Sequence, residues 1–118
     1  YEGKRVVVLT HRPGVATHGE ELVALDPATV LERLGAEGRA RVWPDGGDVV
    51  RQFLAAGVVD DLTVSVIPVL LGSGVPLFGD GPERALALEE SVGFPSGLVQ
   101  LRYRPVNASG PSWAPPSA

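Results

Sequence analysis

The chain has 118 residues, of which 44% are apolar, and this predicts one globular domain built around one hydrophobic core. A formal net charge of −4, without any basic run, argues against a nucleic-acid partner. The absence of cysteine excludes disulfides, thiolate catalysis and zinc–thiolate sites. No apolar run approaches the roughly 20 residues that span a bilayer, and the first residues do not resemble a signal peptide. We therefore expect a cytoplasmic protein without a membrane partner.

The first third of the sequence predicts two strands and a helix. Residues 6–10 form an apolar, β-branched run that is typical of a strand buried on both faces in a parallel sheet, and residues 21–25 predict a second short strand. Asp26 and Pro27 supply an N-cap and a proline at the first helical position. The helix should end at Gly35 or Gly38. Its apolar stripe consists of Val30, Leu31 and Leu34.

Residues 40–57 predict a third strand at 40–43, a Gly-Gly turn and a second helix, which Gly57 ends. A strand that delivers two glycines to a helix N-terminus brings backbone N–H groups and the positive end of the helix dipole to one point, which suits a phosphate. The alternative is a tight turn that needs glycine only for its dihedral angles. The apolar residues that predict the helix are Val49, Val50, Phe53 and Leu54.

The second half of the chain predicts a strand at 62–67, a long apolar loop at 68–78 and a late hairpin. In the hairpin, residues 86–92 and 98–103 would pair antiparallel across a turn at 95–97. The apolar loop should pack on a cleft or a partner, because it is poorly suited to face water. The pattern predicts an α/β fold, mostly parallel with an antiparallel edge, over residues 1–106, followed by a flexible Pro/Ser-rich tail at 107–118.

An ordered series of motifs resembles the dihydrofolate-reductase-like superfamily. The most similar branch is the reductase domain of the bifunctional deaminase–reductase of riboflavin synthesis, with its stand-alone relatives. The resemblance covers about residues 1–104 and implies a three-layer αβα fold with a mixed sheet. The matching segments are 46–54, 59–62, 67–74, 77–78 and 96–104.

The resemblance implies an NADPH-dependent reductase that acts on a pyrimidine- or pterin-like small molecule. Thr10, His11 and Arg12 match the strand end that holds the adenosine 2′-phosphate, where a hydroxyl and a guanidinium can bind a dianion. The alternative for Arg12 is a solvated turn cation. His11 and His18 are each interpreted as polar surface residues. Because no group of carboxylates accompanies them, the two histidines do not predict a metal site.

The turn before the second helix matches the family's pyrophosphate segment, whose Gly-Gly peptide is often cis. A carboxylate would repel a pyrophosphate, so the side chain of Asp48 should cap the helix and point away. Pro44 departs from the family pattern because it lacks a ladder donor. The cofactor residues that the resemblance implies here are Asp45, Gly46, Gly47, Asp48, Val49 and Val50.

In the relatives the loop at 68–78 lies near the nicotinamide, the substrate or a subunit contact, so the resemblance implies substrate contacts at Leu71, Gly72 and Gly74. The alternative is core packing by the four large apolar residues of the loop. Stand-alone members are commonly homodimers, and we expect copies to pair through residues 62–67 or through this loop. Those four residues are Leu70, Leu71, Leu77 and Phe78.

No residue predicts a catalytic proton donor. Asp60 and Asp61 could be an acid–base pair, but at a helix-to-strand joint they are interpreted as solvated. The chain matches roughly the C-terminal two-thirds of a family member, and nothing in it matches the N-terminal part that carries the polar contacts to substrate. A non-catalytic nucleotide-binding or dimerisation module that retains only the fold is therefore the alternative to an enzyme.

Overall fold

A computed structural model describes residues 2–81 and 83–106 of the chain. The chain divides into two compact units, Tyr1–Ala56 and Gly57–Ala118, so the predicted domain at 1–106 spans both. The predicted flexible tail at 107–118 lies outside the described residues. No helix in the described part of the chain is long and apolar enough to span a membrane.

The first unit contains a short parallel ladder. Strand β1 (Val7–Leu9) pairs in parallel with β2 (Glu21–Val23). The ladder continues at one end, where the Thr10 N–H donates to the Val23 carbonyl over 2.9 Å. Both strands and their parallel pairing are confirmed, although the predicted burial of β1 on both faces is wrong. Val8 is 37% exposed, because this two-stranded ladder covers one face of β1 better than the other.

Helix α1 (Pro27–Ala36) follows the predicted local signals closely. The Asp26 carboxylate accepts the Thr29 N–H over 3.0 Å, and Pro27 occupies the first turn. Gly38, with φ 82°, ends the helix, because a left-handed residue there lets its N–H reach the Gly35 carbonyl at 2.9 Å. Of the predicted stripe, Val30 and Leu34 are buried and Leu31 is half-buried.

Helix α2 (Gly47–Ala56) is confirmed in both position and buried face. Phe53 is 3% exposed and Gly57, with φ 71°, closes the helix. The two helices contact each other. In the described part of this unit the buried side chains are Pro27, Val30, Leu34 and Phe53, so its core is small.

The predicted third strand at 40–43 is wrong. Residues 40–45 have no regular secondary structure, and Trp43 is 83% exposed. A strand requires a neighbour for its backbone hydrogen bonds, and no ladder among the described residues includes this segment. Pro44 adds to the effect because it has no N–H to donate.

The second unit contains a three-stranded antiparallel sheet. Strand β3 (Leu62–Val66) and strand β4 (Leu86–Gly93) flank β5 (Val99–Pro105). The predicted hairpin is confirmed, and its turn is closed by hydrogen bonds of 2.9 Å between Phe94 and Leu98 and from the Gly97 N–H to the Phe94 carbonyl. A mixed α/β fold is therefore present. The mostly parallel sheet is wrong for the described residues, because two of their three ladders are antiparallel.

The two faces of this sheet differ in polarity, as the pairing register and strand alternation show. One face is mainly polar and carries Thr63, Ser65, Glu90, Gln100, Arg102 and Arg104, together with Ala87 and Val92. The opposite face is mainly apolar and carries Leu62, Val64, Val66, Leu86, Leu88, Val99, Leu101 and Tyr103, together with Ser91 and Gly93. Val66 is 51% exposed and Leu88 57%, so the described residues of this unit cover the apolar face incompletely.

The loop at 68–78 has no regular structure, and its predicted core packing is wrong. Leu70 is 101% exposed, Leu71 76%, Leu77 52% and Phe78 40%. The start of the loop contacts the hairpin turn, where a Cβ on Gly97 would lie 3.1 Å from Pro68. Without a strand neighbour to hold the rest of the loop, its apolar side chains remain at the surface of the unit. Its predicted contact with a cleft or a partner stays a prediction.

Candidate cofactor site

The N-terminus of α2 presents backbone donors at a glycine turn. The first helical hydrogen bond runs from the Val50 N–H to the Gly46 carbonyl over 2.9 Å. The N–H groups of Gly47, Asp48 and Val49 precede this first intrahelical donor, so they have no acceptor within the helix and are directed out of its end. The Gly46 N–H is already used, because it donates to the Asp45 carboxylate over 2.8 Å.

The two glycines of this turn have different backbone conformations. Gly46 has φ 89°, which side chains rarely tolerate, so its dihedral angle alone explains why it is glycine. A Cβ built on Gly46 would meet nothing within 4 Å, so this side of the turn is open. Gly47 is helical and lies outside the positive-φ region. The dihedral-angle explanation therefore accounts for the first glycine but not for the second.

The peptide bonds of the described residues are trans, including the one between Gly46 and Gly47, unlike the cis bond that the resemblance implied.

Asp48 makes its contacts along the helix rather than at its N-terminus. It is the second helical residue and does not serve as the cap, which corrects that part of the prediction. Its carboxylate accepts from the Gln52 amide over 3.1 Å and lies 3.6 Å from the Arg51 guanidinium. Both partners come later in α2, so the negative charge is directed away from the helix end, as expected, and Arg51 offsets it.

The predicted 2′-phosphate residues lie immediately after β1. The Thr10 hydroxyl accepts the Arg12 N–H over 3.1 Å and lies 3.3 Å from the Arg12 carbonyl, to which it donates. Thr10 therefore shapes the turn that carries Arg12. His11 and Arg12 are exposed, and Arg12 forms no salt bridge within the described residues. Its guanidinium is available to an anion.

All the predicted cofactor residues belong to the first unit, where they form two groups. One group follows β1 and the other begins α2. Within the groups, hydrogen bonds link Thr10 to Arg12 and Asp45 to Gly46.

The predicted substrate residues belong to the second unit. Gly72 has φ 81° and open space beside it. A Cβ on Gly74 would come within 2.6 Å of the end of the Leu71 side chain, so these two predicted residues lie beside each other.

A ring of ion pairs in the first unit was not predicted from the sequence. Arg5 and Arg33 each pair with both Glu21 and Glu37, at 2.9 Å for Arg5 with Glu21 and 3.4 Å for Arg33 with Glu37. Hydrogen bonds from Arg5 and then Arg33 lower the pKa of the Glu21 carboxyl below its ordinary value. The i,i+4 spacing of Arg33 and Glu37 at the end of α1 was the available sequence signal for one of the four pairs.

Asp60 and Asp61 are exposed, and Asp61 lies 3.3 Å from Arg102 in a salt bridge, which agrees with their interpretation as solvated charges. No group of three or more potential metal-ligating side chains occurs in the described part of the chain.

A parallel strand pair, a glycine turn at a helix N-terminus and an antiparallel hairpin make this a mixed α/β fold. Residues 2–100 match the RibD C-terminal domain family, and the chain belongs to that family. The recognised superfamily is thereby confirmed.

Solved structures with a similar fold include the following two. A protein of Shewanella sp. PV-4 that is named for riboflavin biosynthesis superposes with a TM-score of 0.81 at 27% identity, over 89% of this chain and 62% of that one. A pyrimidine reductase-like protein of Corynebacterium diphtheriae superposes with a TM-score of 0.65 at 28% identity, over 76% of this chain and 41% of that one.

Two proteins of Bacillus subtilis (strain 168) are also similar in sequence. The uncharacterized protein YwjB is 38% identical over 73 residues, and the uncharacterized protein YyaP is 39% identical over 64 residues. These matches cover 60% and 52% of this chain, but only 41% of YwjB and 34% of YyaP. The chain therefore spans less than half the length of these relatives.

Proposed function

We propose that the chain is the cofactor-binding part of an NADPH-dependent reductase that acts on a pyrimidine- or pterin-like small molecule. Membership of the RibD C-terminal domain family and the similarity to a pyrimidine reductase-like protein support this proposal. When bound, NADPH supplies the hydride. The residues of this chain bind the dinucleotide and hold it in position.

The observation that carries the proposal is the helical conformation of Gly47. A helix start accepts most residues, so glycine at this position is explained best by something that approaches the backbone closely. A pyrophosphate fits, because the N–H groups of Gly47, Asp48 and Val49 and the positive end of the helix dipole meet there. The Val50 N–H is not available to the pyrophosphate, because it donates the first helical hydrogen bond to the Gly46 carbonyl. Val50 therefore contributes by forming the first turn of the helix.

The second group, after β1, supplies the preference for a phosphorylated ribose. The Arg12 guanidinium can form a charge-assisted pair of hydrogen bonds with the 2′-phosphate, which NADH lacks. The Thr10 hydroxyl holds the turn through its two hydrogen bonds with the Arg12 backbone, so its contribution is to position Arg12. His11 lies between them and is exposed to the same ligand.

Calorimetric titration of the complete gene product with NADPH and NADH tests this assignment. Loss of a charged hydrogen-bond partner costs about 1.5–3 kcal/mol, so Arg12→Ala should weaken NADPH binding roughly ten- to a hundredfold. Binding of NADH should change little. Arg39→Ala, another exposed arginine of the same unit, is the matched control and should leave both affinities unchanged. Equal weakening of NADPH and NADH by Arg12→Ala would refute the 2′-phosphate assignment.

Turnover separates an enzyme from a module that only binds nucleotide. The complete gene product should oxidise NADPH in the presence of a ribosylamino-pyrimidine or a pterin. NADPH binding without oxidation of any such substrate would favour the non-catalytic nucleotide-binding module instead.

A further inference from the structure

The sequence contains two aspartates that a glycine follows directly, in the pairs Asp45–Gly46 and Asp80–Gly81. At such a pair the amide nitrogen of the glycine can attack the aspartate side chain, because glycine has no Cβ to obstruct the approach. The reaction closes a five-membered ring from atoms of these two residues alone. Its rate depends on how closely the fold holds the carboxyl group against the nitrogen.

The fold holds these two groups together at Asp45. The Gly46 N–H donates to the Asp45 Oδ1 over 2.8 Å, so the carboxyl group is folded back onto the nitrogen that would attack it. A peptide nitrogen within a helix must first give up its hydrogen bond to a carbonyl, but Gly46 precedes the first residue of α2. The reacting nitrogen is therefore already beside the carboxyl group.

The surroundings of this pair leave room for the ring to close. Asp45 and Gly46 are both exposed, and a Cβ on Gly46 would meet nothing within 4 Å. The pair Asp80–Gly81 is also exposed and open, but the described residues include no hydrogen bond between its carboxyl and its amide. The two pairs therefore share the same sequence and differ in how the carboxyl group is held.

We propose that Asp45 is a site of spontaneous isomerisation, at which the main chain is rerouted through the aspartate side chain. The Gly46 nitrogen forms a bond to Cγ of the protonated Asp45 carboxyl, the bond from Cγ to its hydroxyl breaks, and that hydroxyl leaves as water with the amide proton. Water then adds to either carbonyl of the cyclic imide. Cleavage of the bond from nitrogen to Cγ restores aspartate, whereas cleavage of the bond to the main-chain carbon leaves isoaspartate. The reaction is a net isomerisation and needs no oxidant or reductant.

The modification changes the turn at the N-terminus of α2. Isoaspartate adds one methylene group to the main chain immediately before Gly46, and the outward N–H groups begin at the next residue, Gly47. The consequence for the cofactor rests on the proposed function. If a pyrophosphate binds these donors, bound NADPH holds the turn and slows the ring closure.

Peptide mapping by mass spectrometry, after prolonged warm incubation of the complete gene product, tests this proposal. Isoaspartate peptides separate chromatographically from aspartate peptides, and the cyclic imide is lighter by one water. In the folded protein isoaspartate should accumulate at Asp45 at least about tenfold faster than at Asp80, since Asp45 is held against the amide that attacks it. In denaturant the two rates should become similar, because the hydrogen bond is lost. Asp45→Glu keeps the carboxylate but would have to close a six-membered ring, so it should remove the modification at this position.

Accumulation at Asp45 that is no faster than at Asp80 in the folded protein would overturn the proposal. A difference between the two positions that persists in denaturant would also overturn it, by showing that the local sequence and not the fold sets the rate. Saturating NADPH separates this proposal from the proposed function. Isomerisation at Asp45 that proceeds as expected but is not slowed by NADPH would support the modification site and refute the position of the pyrophosphate.

Discussion

The two glycines at the start of α2 allow the cofactor site to be tested separately from the fold. Gly46→Ala places a side chain at φ 89°, where left-handed backbone costs about 1–2 kcal/mol. A Cβ there meets nothing within 4 Å, so no steric clash adds to this cost. In a domain of about 100 residues, each kcal/mol lowers the Tm by roughly 4–8 °C.

Gly47→Ala should have the opposite effect on stability. Gly47 is already helical, and replacing glycine by alanine at a compatible position stabilises a protein by about 0.4–1 kcal/mol. A methyl group there would nevertheless keep a pyrophosphate from the N–H donors. Each charge-assisted hydrogen bond lost should weaken NADPH binding roughly ten- to a hundredfold.

Thermal unfolding measures the Tm of both variants, and calorimetric titration measures their affinity for NADPH, each in the complete gene product. Gly38→Ala is the matched control, because Gly38 has φ 82° and equally open space but ends α1 instead of starting α2. It should lower the Tm as Gly46→Ala does and leave NADPH affinity unchanged. A folded Gly47→Ala protein with wild-type affinity would refute the close approach of a ligand and leave the turn with a structural role alone.

Three further predictions concern the ion pairs, the core and association. Hydrogen bonds from Arg5 and then Arg33 lower the pKa of Glu21. Its ion pairs therefore stabilise the fold at pH values above the ordinary pKa of glutamate, and this contribution is lost as the pH falls through the lowered pKa. Glu21→Gln should flatten this part of the Tm-against-pH profile, and an unchanged profile would contradict the prediction. Phe53→Ala should cost about 3–5 kcal/mol in denaturant unfolding, and a loss under 1 kcal/mol would show that Phe53 is not the core residue its burial indicates. We propose that copies associate through the exposed loop at 68–78, so Leu70→Asp should weaken association in sedimentation without lowering the Tm, whereas a monomeric wild-type protein would exclude this contact.

Elements with local signals were predictable from the sequence. Helix α1 is specified by Asp26 and Pro27 at its start and by Gly38 after its end, all within a few residues of the bonds they make. The hairpin was equally accessible, because alternating strands flank a turn in which Gly97 has φ 91°.

Features that depend on distant neighbours were predicted poorly. Residues 40–43 have the composition of a strand, but a strand forms only beside a ladder partner, and none of the described residues provides one. Core packing was the alternative for Leu70 and Leu71 because they are hydrophobic, yet both are exposed, since burial also requires a surface to cover them. The direction of the pairing between β3 and β5 could not be obtained from local pattern either.

In the candidate site, too, the features with local sequence signals were predictable and those that depend on contacts were not. The Gly-Gly turn and the basic turn after β1 are each a continuous segment of sequence, and both were predicted as cofactor segments. The use of the Thr10 hydroxyl to hold the Arg12 backbone requires coordinates, as does the direction of the Asp48 carboxylate along α2. The ring that joins Arg5 to Glu37 links residues too far apart in sequence for a periodicity argument.

The most direct measurement of the central claim is an amide chemical-shift titration of the isotope-labelled complete gene product with NADPH. The claim is that the N-terminus of α2 binds the pyrophosphate of the dinucleotide. It predicts saturable shifts that are largest at the amides of Gly47, Asp48 and Val49, with a second group at Arg12 that NADH does not reproduce. Saturable binding that leaves the three α2 amides unshifted would contradict the claim.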